Sequence, residues 1–362
     1  MNSTLGNLTN SDDSFDRYQF VNEAPGVAIP ILITLALAAL FGTFGNVLIL
    51  ITIFTTEKLH RLECIFMANL AISDMYVTTL ADPLSIVGKL EGEEFFDKLP
   101  GFCQIIAFGC TIACVNSLGS IALLSFNRYI YICQNKFYCK IFKKKTCILM
   151  CCCLYSVGLL LVLLNFAGIG DHSFDRKSLE CIWDRMETYP YTVVFSVTLV
   201  WVPVVVVGFS YLSIFLKVHG SRKKTKTASS RRTSSYSIGL AKTLCIIYVI
   251  FAACWIPYAL LIVLDRDDSF PHEVHLYITV WAHLHPSINW LVYYFTNTKF
   301  EAAFNRIAHL DVCFGRCKNS NREGNESSTT SGGLSTSETN TTFKKPLSSI
   351  EISGNRMNDY TI

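Results

Sequence analysis

Seven long apolar segments dominate the sequence and limit what the chain can fold into. A helix needs about 20 apolar residues to cross a hydrocarbon core of about 30 Å. Hydrophobic residues make up 51% of the 362-residue chain and charged residues only 16%, unlike a soluble domain of this length. We therefore predict a multi-pass membrane protein with spans at residues 27–54, 62–88, 103–133, 146–169, 190–218, 240–265 and 273–297.

The distribution of charged residues predicts the orientation of the chain in the membrane. Basic residues are retained on the cytoplasmic side, and Lys and Arg collect in the first, third and fifth connections. Acidic residues instead occupy the N-terminal segment and the second connection. We therefore expect residues 1–26 to be an extracellular N-terminus, in which Asn2 and Asn7 begin glycosylation triplets.

Two of the fifteen cysteines are predicted to lie clearly outside the membrane. Cys103 begins the third span, and Cys181 lies in the loop between the fourth and fifth spans. Most of the others fall within spans or in the cytosol, where disulfides are rare. An oxidised pair of Cys103 and Cys181 would hold that loop over the helix bundle.

Asp74 is an ionisable residue deep inside the second span. It lies about 18 Å from the start of that span, and charges at such a depth are costly enough to indicate function. One reading is a packing residue that bonds to its neighbours, and the other is a cation or water site, such as a sodium site, that rearranges between two states. Ser117, His285 and Asn289 are the expected partners, and a protonated His285 would compete with a bound cation.

Two prolines predict kinks in spanning helices, because each removes a backbone hydrogen bond. Pro203 lies in the fifth span and Pro257 in the sixth. Phe251 and Trp255 precede the second kink, so the indole is expected at the base of a cavity. A ligand that moves this ring would move the helix; the alternative is an aromatic side chain that only fills the core.

A set of motifs runs through the seven spans in order. They are Gly45-Asn46-Val47, Leu70-Ala71 with Asp74, Asn127-Arg128-Tyr129, Pro203 with Tyr211, Cys254-Trp255-Ile256-Pro257, and Asn289 with Tyr293. The ordered set resembles the rhodopsin-like (class A) G-protein-coupled receptors over residues 27 to about 310. The resemblance implies an all-α membrane protein of the plasma membrane, in which residues 27–297 form a seven-transmembrane helix bundle followed by a short amphipathic helix.

The resemblance also implies how the receptor would signal. Arg128 would close the resting cytosolic face and then contact a heterotrimeric G-protein, while an agonist favours outward movement of the sixth span. The residues implied in coupling are Asn127, Arg128, Tyr129, Tyr211, Asn289 and Tyr293. Those implied in the activation switch are Asp74, Ser117, Phe251, Trp255, Pro257 and His285.

The sequence departs from the family pattern around Arg128. Asn127 replaces the usual acid before the arginine, and Ser237 stands where an acid often pairs with it. Trp290 replaces the proline expected after Asn289. We therefore expect Arg128 to lack its usual acidic restraints and the receptor to show measurable basal signalling.

Two known types of ligand site are missing from the sequence, and this narrows the class of ligand. Cys110 occupies the position where amine receptors carry an aspartate, so a biogenic amine would lack its counter-ion there. His283 occupies the position of the retinal lysine in opsins, so a Schiff base cannot form. Neither an amine receptor nor a photopigment fits the pattern.

Two further resemblances suggest ligands. The loop from Cys181 to Arg185 resembles that of the immune-cell receptor for medium-chain fatty acids, whereas residues 127–133 and Asn165 resemble the melatonin receptors. They imply an amphipathic or acidic lipid-like ligand, or an indole related to melatonin, and coupling to an inhibitory G-protein. The expected ligand-binding residues are Cys110, Asn165, Trp183, Arg185, Leu199, Trp255, Tyr258 and His283.

Arg185 has two readings. Its guanidinium could hold a ligand carboxylate by a bidentate, charge-assisted bond. It could equally be a solvated loop charge paired with Asp184 or Glu187. Melatonin receptors carry a glutamine at this position and a histidine at Leu199, so two of their polar contacts are missing here.

The C-terminal region is polar. Residues 298–310 have the spacing of an amphipathic helix on the membrane surface, and Cys313 and Cys317 are candidate palmitoylation sites. Residues 311–362 are Ser- and Thr-rich, which predicts a disordered cytoplasmic tail that a receptor kinase modifies and an arrestin binds. The terminal Tyr360-Thr361-Ile362 is a weak signal for a PDZ partner.

Two other protein classes remain as alternatives. A membrane metal-dependent hydrolase would use the histidines of the last span with Asp74, but the zinc-helix signature is absent and His272 and His275 should lie above the membrane. A transporter would more often show internal repeats, and the sequence has none that we detect. We expect a receptor that is not an enzyme and has no cofactor and no nucleic-acid partner.

Overall fold

The computed structural model describes residues 19–222, 228–296 and 298–307, with the side chains of Gln19, Lys58, Lys299 and residues 218–244 left out. The predicted glycosylation sites Asn2 and Asn7, the palmitoylation sites Cys313 and Cys317, and the tail with its PDZ signal lie outside these residues. The side chain of Ser237 also lies outside them.

Long helices follow the apolar segments of the sequence. Six of them are long and apolar enough to cross a membrane. Within the described residues the long helices are α1 (Pro25–Thr55), α2 (Glu63–Glu91), α3 (Phe102–Cys133), α4 (Lys144–Ala167), α5 (Tyr189–Ser196, Val197–Trp201 and Val202–Arg222), α6 (Ala228–Leu264) and α7 (His272–Thr296), followed by the short α8 (Thr298–Ile307). The predicted bundle and its C-terminal helix are confirmed. Helix α6 is described from Ala228, before the predicted span of 240–265, because its first turns are polar and an apolar pattern does not reveal them.

Helix α7 is the least apolar of the spanning helices, and its burial pattern explains why. Polar side chains along it face the interior of the bundle, where α7 packs against α1 and α6. The buried polar residues of α7 are His275, Thr279, His283, His285, Ser287 and Asn289. Such residues are tolerated in a membrane when they face protein or a cavity, so the polar face of α7 lines the interior of the bundle.

Two spanning helices contain a π-helical turn, at Val77–Ala81 in α2 and at Val197–Trp201 in α5. Such turns are rare and are often found at functional sites. Pro203 follows the turn in α5, and Pro257 lies inside α6. Both π turns lie at the level of the cavity described below.

A two-stranded hairpin covers one end of the bundle and was not predicted from the sequence. Strand β1 (Asp171–Asp175) pairs antiparallel with β2 (Glu180–Asp184). A disulfide joins Cys103 at the start of α3 to Cys181 in β2. We call this end of the bundle the hairpin end and the opposite one the Arg128 end.

The chain divides into two compact units, Met1–Ala302 and Ala303–Ile362. The first contains the seven spans and the hairpin. Of the second, the described residues are the last turns of α8, an amphipathic helix with Glu301 in its first turn and Arg306 in its last.

Candidate functional site

A cavity lies beneath the hairpin, between α3, α5, α6 and α7. It encloses about 350 Å³ of empty space, including the part that opens to solvent. Its lining residues are Cys110, Thr111, Cys114, Ile182, Trp183, Phe195, Leu199, Trp255, Tyr258, Thr279, Ala282 and His283. Six of the eight residues expected from the sequence to bind a ligand are among them.

Aromatic side chains form most of one wall of the cavity. Trp183 stacks on Phe195 with ring centroids 4.3 Å apart, and its indole N–H donates to the Tyr258 hydroxyl at 2.8 Å. Trp255 packs edge-on against Tyr258 with centroids 5.9 Å apart. Rings held in this way offer a ligand flat apolar surfaces, which suits an aromatic or aliphatic body.

A smaller, polar lobe adjoins this aromatic part. Ser85, Glu180 and His283 line it, and Cys110, Ile182 and His283 line both parts. A network of buried polar bonds surrounds the lobe. Its contacts are His283 Nδ1 with Asp82 Oδ1 (2.6 Å), Ser85 Oγ to Glu180 Oε2 (2.6 Å), and Lys89 Nζ to Ser85 Oγ (2.8 Å), Ser178 O (2.8 Å) and Glu180 Oε2 (3.3 Å).

Sequence reasoning missed this network. Asp82 lies within the predicted second span, where an ionisable residue indicates function just as Asp74 does, whereas Lys89 directly follows that span. The sequence around Glu180 does not mark it as buried, because it lies outside the predicted spans and only the hairpin brings it into the interior. Burial opposes its ionisation, but the charges of Lys89 and His283 outweigh that effect and lower the pKa of Glu180.

Asn165 does not line the cavity and donates instead to the carbonyl of Ile169 at 3.1 Å. Arg185 is absent from the aromatic part but lines a small adjoining pocket, which shares Trp183 and Tyr258 with it. Arg185 is buried and pairs with Asp265, at 3.3 Å, and with Asp268. Of its two readings, the solvated pairing with Asp184 or Glu187 is therefore not the one that the structure shows.

The contacts of Arg185 fasten the hairpin to the connection between α6 and α7. Lys177 bonds to Asp268 at 3.0 Å, and His275 bonds to Asp265 at 2.7 Å. We call Lys177, Arg185, Asp265, Asp268 and His275 the lid clasp. Partial burial raises the pKa of Asp268, but Arg185 and Lys177 outweigh that effect and hold it below its usual value. Asp268 therefore stabilises the clasp above its ordinary pKa, and this contribution is lost as the pH falls through the lowered value.

Asp74 lies in a polar cluster between the cavity and the Arg128 end. Its carboxylate accepts from Ser117 Oγ at 2.6 Å and from Asn289 Nδ2 at 2.7 Å. Ser117 lies about 10 Å along α3 from Cys110 and about 16 Å from Arg128, at 1.5 Å per residue. His285 packs against Phe251 instead, with ring centroids 5.9 Å apart, so α7 contributes Asn289 to the aspartate.

Arg128 is buried at the opposite end and has an acidic partner. Its guanidinium forms an ion pair with Glu63, the first residue of α2. The sequence predicts that Arg128 lacks its usual acidic restraints, and Asn127 supplies none, but α2 provides an acidic partner that was not predicted. Asn127 instead donates to the hydroxyl of Tyr138 at 3.4 Å.

The three tyrosines implied in G-protein coupling lie on α3, α5 and α7. Tyr211 accepts from Ser125 at 3.5 Å, and Tyr129 packs against Phe209 with centroids 5.4 Å apart. The hydroxyl of Tyr293 is buried with no hydrogen-bond partner among the described residues. A buried, unpaired hydroxyl costs free energy, so a rearrangement of the helices that gives the Tyr293 hydroxyl a hydrogen-bond partner is favoured.

The metal site considered from the sequence does not form among the described residues. There, the one group of metal-ligating side chains close enough to share an ion is Asp265, Asp268 and His275, whose ligand atoms lie within 4.8 Å of one another. Arg185 contacts both aspartates, and its positive charge opposes a metal there.

Comparisons with known proteins agree with this architecture. Residues 45–293 match the family model described as 7 transmembrane receptor (rhodopsin family). Zebrafish (Danio rerio) melatonin receptor type 1B-B is 27% identical over 316 residues, covering 85% of this chain and 90% of the relative. Human melatonin receptor type 1B is 26% identical over 295 residues, covering 78% of each.

A solved structure shows the same fold. Squid rhodopsin superposes with a TM-score of 0.69 at 18% identity, over 84% of this chain and 91% of that one. The family consists of receptors and not enzymes, which excludes the hydrolase alternative. The chain therefore belongs to the rhodopsin family of seven-transmembrane receptors, the class A G-protein-coupled receptors, and resembles the melatonin receptors within it.

Proposed function

We propose that the protein is a plasma-membrane receptor that binds an extracellular small molecule beneath the hairpin and activates an inhibitory G-protein at the Arg128 end. The observation that carries the proposal is the pairing of two features in one bundle. A covered cavity lies at one end and a buried, ion-paired arginine lies at the other. The bias of basic residues toward the first, third and fifth connections supports a cytosolic Arg128 end.

The favoured ligand is a small amphipathic molecule with an aromatic body, such as an indole. Stacked rings and apolar side chains line the larger part of the cavity. The relatives are named for melatonin, which supports the same class. An acidic lipid-like ligand is less favoured, because Arg185 is already bound to two aspartates.

Activation follows as a population shift between two states. A ligand in the cavity contacts Trp255 and Tyr258, which flank Pro257 in α6. A ligand that binds the open state more tightly favours outward movement of α6. The open state releases Arg128 from Glu63 for the G-protein, while the Asp74 cluster, with or without a bound sodium ion, rearranges between the two ends.

The segments before and after the bundle carry the modifications and partner sites of a plasma-membrane receptor. Asn2 and Asn7 carry glycans on the extracellular side, and Cys313 and Cys317 carry palmitate next to α8, which rests on membrane lipids. The Ser- and Thr-rich tail is phosphorylated by a receptor kinase and then binds arrestin, and its last three residues suit a PDZ domain.

A screen tests the proposal directly. Indoles, fatty acids and lipids are applied to cells that report dissociation of an inhibitory G-protein, with the Arg128→Ala variant as the control. We expect an indole-type compound to dissociate the G-protein in cells with the native receptor and not in the control. If no compound separates the two at equal surface expression, the proposal fails.

Replacing Arg185 with Ala tests whether this residue holds the lid or the ligand. We expect affinity to fall about tenfold, or about 1.4 kcal/mol, for every ligand class alike, because the hairpin loses its clasp. Ligand dissociation rates measure the effect. Arg176→Ala is the matched control, since it removes an exposed ion pair with Glu93 on the same hairpin. A loss confined to carboxylate ligands would contradict this role and favour direct binding.

A further inference from the structure

Trp281 of α7 lies on the lipid-facing surface of the bundle, yet its indole is bonded to the backbone of α6. The side chain is 49% exposed, and its Nε1 donates to the carbonyl of Ala253 at 2.9 Å. Trp281 lies about 14 Å from the start of α7, which places it deep in a hydrocarbon core of about 30 Å. Exposed Trp residues of spanning helices are usually anchors at the membrane–water interface, and this depth does not fit that role.

The acceptor of this bond is a carbonyl that Pro257 deprives of its helical donor. In an α-helix the carbonyl of residue 253 accepts from the N–H of residue 257, and proline has no N–H. Ala253 is exposed, so its carbonyl faces lipid, which contains no water to bond it. The indole of Trp281 therefore supplies the hydrogen bond that Pro257 removes.

The surroundings of the bond make it strong for a contact on the protein surface. In water, a broken hydrogen bond is largely replaced by bonds to solvent. In hydrocarbon, separation would leave the indole N–H and the carbonyl both unpaired, and each unpaired group is costly. The bond between Trp281 and Ala253 therefore favours the arrangement of α6 and α7 in which it forms.

The place of Ala253 along α6 connects the bond to signalling. Helix α6 ends at the hairpin end, where Asp265 joins the lid clasp, so Ala253 lies one turn from Pro257 toward the Arg128 end. This is the side of α6 that moves outward in the proposed activation, and helices bend preferentially at proline. Outward movement of this segment away from α7 would separate Trp281 from the carbonyl, so the bond belongs to the closed, resting state.

We propose that Trp281 is a positioning residue that holds α6 in the closed state by bonding to the carbonyl freed by Pro257. The inference rests on the proposed receptor function and adds a restraint in the middle of the membrane to the ion pair at the Arg128 end. Trp255 and Tyr258 line the cavity on the opposite side of the same turns of α6. A ligand acting on these rings therefore works against the bond on the lipid-facing side.

Trp281→Phe removes the donor and keeps an aromatic side chain. At equal surface expression we expect basal G-protein dissociation to rise about fivefold, as the loss of one hydrogen bond from the closed state predicts. Without agonist, the purified variant should also bind the nucleotide-free inhibitory G-protein about fivefold more tightly, which general damage to the fold would not cause. Tyr277→Phe is the matched control, because it removes a hydroxyl from an exposed aromatic one turn away on α7, and it should match the native receptor.

A double-mutant cycle with Pro257→Ala assigns the effect to the freed carbonyl. The alanine restores an N–H at position 257, so the carbonyl of Ala253 regains its helical donor. We expect Trp281→Phe to lower the melting temperature of the purified receptor by about 2 °C, and to lower that of the Pro257→Ala variant by less than half as much. This readout requires neither ligand nor G-protein.

Two results would overturn the inference. One is basal activity in Trp281→Phe that stays at the native level or falls, and the other is an equal effect of this substitution on melting with and without Pro257. Failure of the proposed function has a different signature. In that case the melting cycle still couples Trp281 to Pro257, but neither the native receptor nor any variant dissociates or binds a G-protein.

Discussion

Replacing Glu63 with Gln is expected to raise ligand-independent G-protein activation at least about tenfold, which corresponds to a shift of about 1.4 kcal/mol or more between the closed and open states. Glu63 and Arg128 form an ion pair with both side chains largely buried. Removing one partner of a buried pair leaves an uncompensated charge, which costs about 3–5 kcal/mol. The closed state bears that cost, whereas an open state frees Arg128, so the population moves toward signalling.

Basal dissociation of the G-protein, measured at equal surface expression, reads out this shift. Glu57→Gln is the matched control, because Glu57 is an exposed acid just before α2. The double variant Glu63→Gln/Arg128→Ala should be silent, since the freed arginine is the group that acts. Unchanged basal activity in Glu63→Gln would show that the ion pair does not restrain the receptor.

Removing the disulfide is expected to have the largest effect on stability. The bond between Cys103 and Cys181 closes a loop with a sequence separation of 78. Loss of a native disulfide of this kind costs about 2–5 kcal/mol, largely through the entropy of the unfolded chain. Cys103→Ala/Cys181→Ala should therefore lower the melting temperature. It should also weaken ligand binding, because β2 carries both Trp183 and Glu180 over the cavity.

Thermal unfolding of purified receptor and ligand affinity measure these two effects. Cys152→Ala/Cys153→Ala is the matched control, because it also removes two cysteines but both are free and exposed on α4. We expect the control to behave as the native protein does. Equal melting temperatures and affinities for the two double variants would contradict the role of the disulfide as the anchor of the lid.

The sequence predicts the bundle well because the membrane imposes a simple rule on each span. Apolar length alone places the helices, and the cost of a buried charge singles out Asp74 before any contact is known. The structure then brings Ser117 and Asn289 to that carboxylate. His285, the third expected partner, lies on the same face of α7 as Asn289 but one helical turn nearer the hairpin end, where it packs against Phe251 of α6 instead.

Contacts between distant segments could not be predicted in the same way. Glu63 begins α2, where an acid is also favoured by the helix dipole, so nothing local marks it as the partner of Arg128. Glu180 and Arg185 lie in a loop whose hairpin register decides which side chain points inward. A shift of one residue would exchange the two faces of β2, and the sequence contains no strong signal for that register.

Parallel measurement of ligand binding and G-protein dissociation in three receptors tests most directly whether the cavity drives the Arg128 end. In the native receptor, an agonist found in the screen should bind and dissociate the G-protein over the same concentrations. Arg128→Ala should still bind the agonist but not dissociate the G-protein. Leu199→Trp, which fills the cavity, should do neither, whereas Leu212→Trp on the exposed face of α5 should match the native receptor. Agonist-driven dissociation in Leu199→Trp or in Arg128→Ala would contradict this account.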